Sequence, residues 1–178
     1  MRTIAAAALL IALMPISAKA VDGYKEFKFG MSVDSVRKLA KTRLIRVKTP
    51  DGLLGYRGQG FSFAREKVAI SFIFTDTGEP KLLRVGLEIP IDTALATCRS
   101  LSDKYGPPSS SSERPDLAWG ADIEKPNTTV FVAFDNDTIL VKIMSDEATR
   151  QSAVLIYTSP EYDRLLLQLQ QDKLKDDL

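Results

Sequence analysis

Ser35 and Lys38 stand three residues apart, where a helix would carry both onto one face. In that spacing the amine can take the serine proton, which is the nucleophile arrangement of one class of serine acyl-transfer enzymes. The companion motifs are missing. Lys41-Thr42-Arg43 and Lys48-Thr49-Pro50 are not Lys-Thr-Gly, and no Ser-Asp-Asn occurs, so the pair reads as a chance spacing on an amphipathic helix. The single cysteine, Cys98, lies on an apolar helical stripe and the chain has no histidine to ionise it, so burial is the expected fate of its thiol. Asp135-Asn136-Asp137 begins like a calcium loop, but the glycine and distant glutamate that complete one are absent. A hairpin turn is the reading that remains. Gly55, Gly58 and Gly60 open no helix and do not follow the dinucleotide order. With no imidazole, the chain also lacks the commonest general base and metal ligand. No metal, cofactor or catalytic group is assigned.

Charge is distributed unevenly. Residues 25–67 carry eleven basic and four acidic side chains, and residues 68–178 carry eleven basic and eighteen acidic ones. Arg37, Lys38 and Lys41 put a basic face on the first helix, either a docking surface for an anion or simply the counterweight to the acidic remainder. Tyr56, Phe61, Phe63 and Trp119, with Arg57 among them, are the aromatic candidates for an exposed binding face.

These residues must be positioned by elements legible from periodicity. Met1 and Arg2, an apolar run and Ala18-Lys19-Ala20 form a secretory signal over residues 1–20, with cleavage before Val21. The run, about thirteen residues, is short of the roughly twenty that cross a bilayer. No cysteine near the cleavage point offers a lipid anchor. Without Arg2 and Lys19 the chain keeps 22 basic and 23 acidic residues, a balance that calls for no nucleic-acid partner.

Ser32 caps a helix expected to end near Arg43, and residues 48–52 have turn chemistry. A short, twisted or bulged strand is expected around Tyr56. Val68, Ile70, Phe72 and Phe74 alternate with smaller or polar residues, as do Leu83, Val85, Leu87 and Ile89, so a hairpin with one core face is predicted. Asp92 is the expected cap of a second helix with the stripe Leu95, Cys98, Leu101, Tyr105, stopped by Gly106-Pro107-Pro108. Residues 109–114 read as a polar, mobile connection. Strands follow at 117–123, 129–134, 138–144 and 152–157, and a C-terminal helix over 159–178 has Tyr162, Leu166 and Leu169 as its stripe. The fold class is α+β, an antiparallel sheet with helices on one face. Residues 21–158 make a single domain with two possible helix-plus-strands repeats, 24–89 and 90–158.

Phe29-Gly30-Met31-Ser32-Val33-Asp34-Ser35-Val36-Arg37-Lys38-Leu39, just after a signal peptide, resembles the opening of SmpA/OmlA-type small envelope proteins. The repeated helix-then-strands order is also similar to the β-lactamase-inhibitor-protein fold. The first resemblance implies a helix packed on a short sheet; the second implies two units forming one concave sheet. The chain lacks the lipid-bearing cysteine of the first and the paired cysteines of the second. The functional expectation is an exported, periplasmic or secreted, non-enzymatic protein that binds another envelope or secreted protein, as an enzyme inhibitor or an assembly factor. The alternatives are a small carboxylate and serine hydrolase, or a binder of anionic lipid or glycan.

Overall fold

The computed structural model describes residues 21–176 apart from residues 77, 113–124 and 149. The signal segment 1–20, the strand expected at 117–123 and Trp119 lie outside the described residues. A two-stranded hairpin, β1 (Gly23–Tyr24) and β2 (Phe27–Lys28), opens the chain. Helix α1 (Val33–Ala40) follows, capped as expected by the Ser32 hydroxyl, which accepts from the Ser35 N–H. It stops short of Arg43 because Lys41 turns left-handed, with φ 49°. Thr42 then donates to the Gln59 carbonyl at 2.6 Å and ties the chain to the sheet.

Four strands come next: β3 (Ile45–Lys48), β4 (Leu54–Phe63), β5 (Glu66–Phe74) and β6 (Leu82–Ile89). β3 is absent from the sequence reading, because four residues with two cations among them carry too little apolar alternation to stand out at a sheet edge. A 3-10 turn (Ile91–Thr93) leads into α2 (Ala94–Tyr105). Asp92 therefore does not cap the helix: it sits inside the turn, and Thr93 precedes the first helical residue with its hydroxyl bonded back to Pro90 O. The shifted start also moves the stripe, so Ala94 is buried with Cys98 and Leu101 while Leu95 is 47% exposed.

The second set of strands is β7 (Ser110–Ser111), β8 (Thr129–Phe134), β9 (Ile139–Ser145) and β10 (Gln151–Thr158), before α3 (Pro160–Asp176). Part of the expected loop at 109–114 is thus a short edge strand paired with β8. The main sheet has eight antiparallel strands in the order β3-β4-β5-β6-β10-β9-β8-β7. Each half is a helix followed by a four-stranded meander, and the halves meet where β6 pairs with β10, Leu87 opposite Leu155 and Gly86 opposite Ile156.

Alternation divides the sheet into two faces. Phe72, Phe74, Val85, Leu87, Val141 and Leu155 point to one, where Phe27 of the hairpin and Val36 of α1 are fully buried with them. α1 and α2 back this face. Arg57, Ser71, Arg84, Gly86 and Ile156 point to the other, and α3 lies against it at one end, packing Tyr162, Leu166 and Leu169 around Leu53, Leu83 and Ile73. Tyr162 fastens α3. Its hydroxyl donates to Asp51 at 2.6 Å and accepts from Arg84 Nη1 at 3.0 Å, while Arg84 Nε donates to Thr158 at 3.1 Å. Burial alone would raise the Asp51 carboxyl, but hydrogen bonds from Thr49, Tyr162 and the backbone of Leu53 outweigh it and hold it below the usual carboxylate range.

Tyr162→Phe keeps the ring and removes both bonds, so it should lower stability in urea by about 1–2 kcal/mol. Because the folded Asp51 pKa is depressed, its contribution is present above the unfolded value near 4 and lost as pH falls through the folded one. The urea midpoint should drop over that acid window in the wild type and drop less in Asp51→Asn; equal slopes would contradict it.

Candidate functional site

α1 and α2 belong to different halves, and neither covers the strip of sheet where β6 meets β10. The β1–β2 hairpin covers it instead. The close approach of its two strands depends on Gly23, opposite Lys28 in the pairing, with φ 147° and no room for a Cβ, which would lie 2.0 Å from Phe27 O. Phe27 then plugs the core against Phe72, ring centroids 4.9 Å apart. Tyr24 lands on Tyr157 of β10 at 5.0 Å, and Lys25, at the tip, hangs over the rings of Tyr24 and Phe61 at 5.3 and 5.2 Å.

Between this hairpin and α2 the surface opens into a cleft with two lobes. One, of about 440 Å³, is walled mainly by Phe63, Ala64, Ala96, Leu101 and Leu155. The other, of about 520 Å³, reaches Val21, Asp22 and Lys28. Tyr24, Lys25, Lys104, Tyr105 and Tyr157 border both. The larger lobe holds the Lys28–Asp22 ion pair at 2.8 Å. Lys25 and Lys104 are exposed, and among the described residues neither makes an ion pair with a carboxylate.

The tyrosines are the unusual members. Tyr24 is 7% and Tyr157 6% exposed, yet among the described residues neither hydroxyl has a hydrogen-bond partner in the protein. Burial, then the Glu26 charge, pushes the Tyr24 phenol up to about 12. Burial, then the neighbouring Tyr105 and Tyr24 phenols, pushes Tyr157 upward as well. Both therefore stay protonated donors, and with Tyr105 they border a cleft rimmed by two lysines.

The residues singled out in the sequence are scattered. Tyr56 is a core residue, 8% exposed, edge-on to Phe74 and covered by the Arg37 guanidinium 4.9 Å above its ring; this corrects the expectation of an exposed aromatic. Phe61 and Phe63 do not share Arg57's face. A register shift between Gly58 and Phe61 inverts the alternation of β4 and turns both rings toward the helix side, opposite Val68 and Glu66. Arg57 stays on the other face, its Nη2 2.7 Å from Glu88. On α1, Arg37 also pairs with Asp34 at 3.5 Å and Lys38 is exposed, while Lys41 borders a separate hollow with Lys25 and Lys67. The Ser35 hydroxyl is 3.0 Å from that of Ser32 at the helix cap. Cys98 is buried, and that burial pushes its thiol up to about 12. Among the described residues no group of three or more Cys, Asp and Glu is placed to hold a metal, and no helix is long and apolar enough to cross a membrane.

Sequence reasoning placed Tyr105 on the α2 stripe and Phe63 at a binding face, but did not join either to Tyr24, Tyr157 or Lys104. The available signal was a tyrosine on each core-facing stripe where phenylalanine would pack as well.

Together these features define an α+β protein with one long antiparallel sheet and a ligand-sized cleft over the junction of its two halves. The chain belongs to a family described as uncharacterised protein, whose model matches residues 24–177. It is 29% identical over 179 residues to a Haemophilus influenzae protein described as uncharacterized, spanning 98% of this chain and 97% of that one. No solved structure matches it.

Proposed function

We propose that this is an exported binding protein that holds a small ligand in the cleft between its N-terminal hairpin and α2, without catalysing a reaction on it. The observation that carries this reading is the pair of phenols, Tyr24 and Tyr157, more than nine-tenths buried at the cleft with no protein partner among the described residues. A phenol with no protein partner takes its hydrogen bond from whatever fills the cleft, water or a bound acceptor. Cys98 is packed away as an un-ionised thiol and Ser35 is engaged at a helix cap, which favours binding over nucleophilic chemistry.

Export is supported by the other end of the hairpin. The Val21 backbone nitrogen donates to Asp135 Oδ2 at 2.9 Å, in the β8–β9 turn. Cleavage before Val21 would convert that N–H into an ammonium beside a carboxylate, strengthening the bond that anchors the hairpin.

A second reading, docking of a partner protein on the opposite face, is favoured by one cross-strand row. Arg57, Ser71, Gly86, Ile156 and Leu140 stand side by side there, all partly exposed, with Arg57 paired to Glu88. This is the arrangement an enzyme inhibitor or an envelope-assembly factor would use.

Each reading has its own measurement. The neutral dye N-phenyl-1-naphthylamine should brighten on the mature protein and lose that response in Ala96→Trp, a substitution at an exposed position that fills the smaller lobe; an unchanged response would reject the cleft. Terminal sequencing of the exported protein should begin at Val21. In that protein Asp135→Asn should cost up to about 1 kcal/mol at pH 6 and less at pH 10, where the α-amino group is neutral; the reverse order would count against the ammonium contact. For the docking face, cross-linking in intact envelopes should capture a species that disappears in Ile156→Arg, and capture indifferent to that change would exclude the row.

A further inference from the structure

The cleft is polarised along its length. Its smaller lobe is walled by Phe63, Ala96, Leu101 and Leu155, and its volume of about 440 Å³ lies within the roughly 300–1,000 Å³ of small-molecule sites. Where the lobes meet, every polar side chain is a donor. Lys25 and Lys104 offer ammonium groups, and Tyr24, Tyr105 and Tyr157 offer hydroxyls. An acceptor-only group satisfies such a set, whereas a cation would face two like charges and an uncharged head would leave both ammoniums to water. Rings lie beside both lysines, Lys25 above Tyr24 and Phe61 and Lys104 4.8 Å from the Tyr105 centroid, and Lys25 also makes a long 3.5 Å contact to the Ser62 carbonyl. They are therefore free to turn onto an incoming anion without breaking an ion pair.

We propose that the cleft binds an amphiphile with one anionic headgroup, a carboxylate or a phosphate monoester, seated between Lys25, Lys104 and the phenols with its apolar chain along α2. This rests on the reading of the cleft as a binding site. The Lys28–Asp22 pair puts charge on the wall of the far lobe, so the apolar chain follows the smaller lobe along α2.

The test is calorimetric titration of the mature chain with decanoate, decyl phosphate, decanol and decyltrimethylammonium, each below its micellar concentration. Both anions should bind, at least one of them about tenfold more tightly than decanol, as one charge-assisted hydrogen bond supplies. The cation should bind more weakly than decanol, and added salt should narrow the gap. The tighter of the two anions identifies the headgroup as carboxylate or phosphate. Lys25→Met with Lys104→Met should bring both anions down to the decanol affinity measured on the same variant. Tyr157→Phe should keep or raise the thermal midpoint while weakening the anions several-fold, a split that a purely structural tyrosine would not give. Decanol binding as tightly as both anions, or a preference that survives the double lysine variant, overturns the headgroup assignment and leaves the cleft standing. Failure of all four amphiphiles together with the neutral dye removes the cleft itself.

Discussion

The pairing of β6 with β10 is the contact on which the molecule depends. With one cysteine in the chain no internal disulfide is available, so nothing covalent joins the two meanders beyond the polypeptide itself. Leu87 faces Leu155 and Val85 faces Tyr157 across this ladder, and all four side chains are buried on the helix side. Without the ladder each half would present an unpaired central strand and lose one wall of its core. With it, among the described residues the edges of the main sheet are β3 and β7, one four and the other two residues long.

The same contact creates the cleft. An α-helix with its side chains is about 10 Å across, and each half supplies one helix to the buried face, seated on its own strands. The junction is left to the short β1–β2 hairpin, which needs Gly23 for its strands to approach and spends Phe27 on the core. Two residues per strand cannot span the distance to α2. The remaining gap is floored by β10 and walled by α2, so the site follows from the topology rather than from any one motif.

Regular elements were legible wherever period and punctuation agreed. The run Val68, Ile70, Phe72, Phe74 and its return strand declared one core face, and the Ser32 cap and the Asp135–Asp137 turn fell where their chemistry put them; all three turn residues are left-handed. Failures came where a local rule met a tertiary one. Parity along β4 groups Phe61 and Phe63 with Arg57, and the register shift after Gly58 reverses that grouping. Asp92 is a better cap by residue type than Thr93, but the 3-10 turn set by Pro90 fixes the start one residue later. The cleft was illegible for a different reason. Tyr24, Lys104 and Tyr157 come from a hairpin, a helix and a strand far apart in sequence, and the property that marks the two tyrosines, a hydroxyl with no protein partner among the described residues, exists only once the fold is formed.

That property separates the cleft from a packing defect. A gap left by imperfect packing is lined by whatever the core contains, and apolar rings at positions 24 and 157 would bury as much surface as tyrosines without carrying a donor inward. Tyr24 packs tilted against Tyr157 and Phe61 through its ring, so its hydroxyl adds nothing to that packing. Tyr162, by contrast, shows how this protein treats a buried phenol it uses structurally: both sides of the hydroxyl are engaged, by Asp51 and by Arg84. Among the described residues, then, the phenol under α3 is bonded on both sides and the two at the junction are not, and on that contrast the proposed ligand site rests.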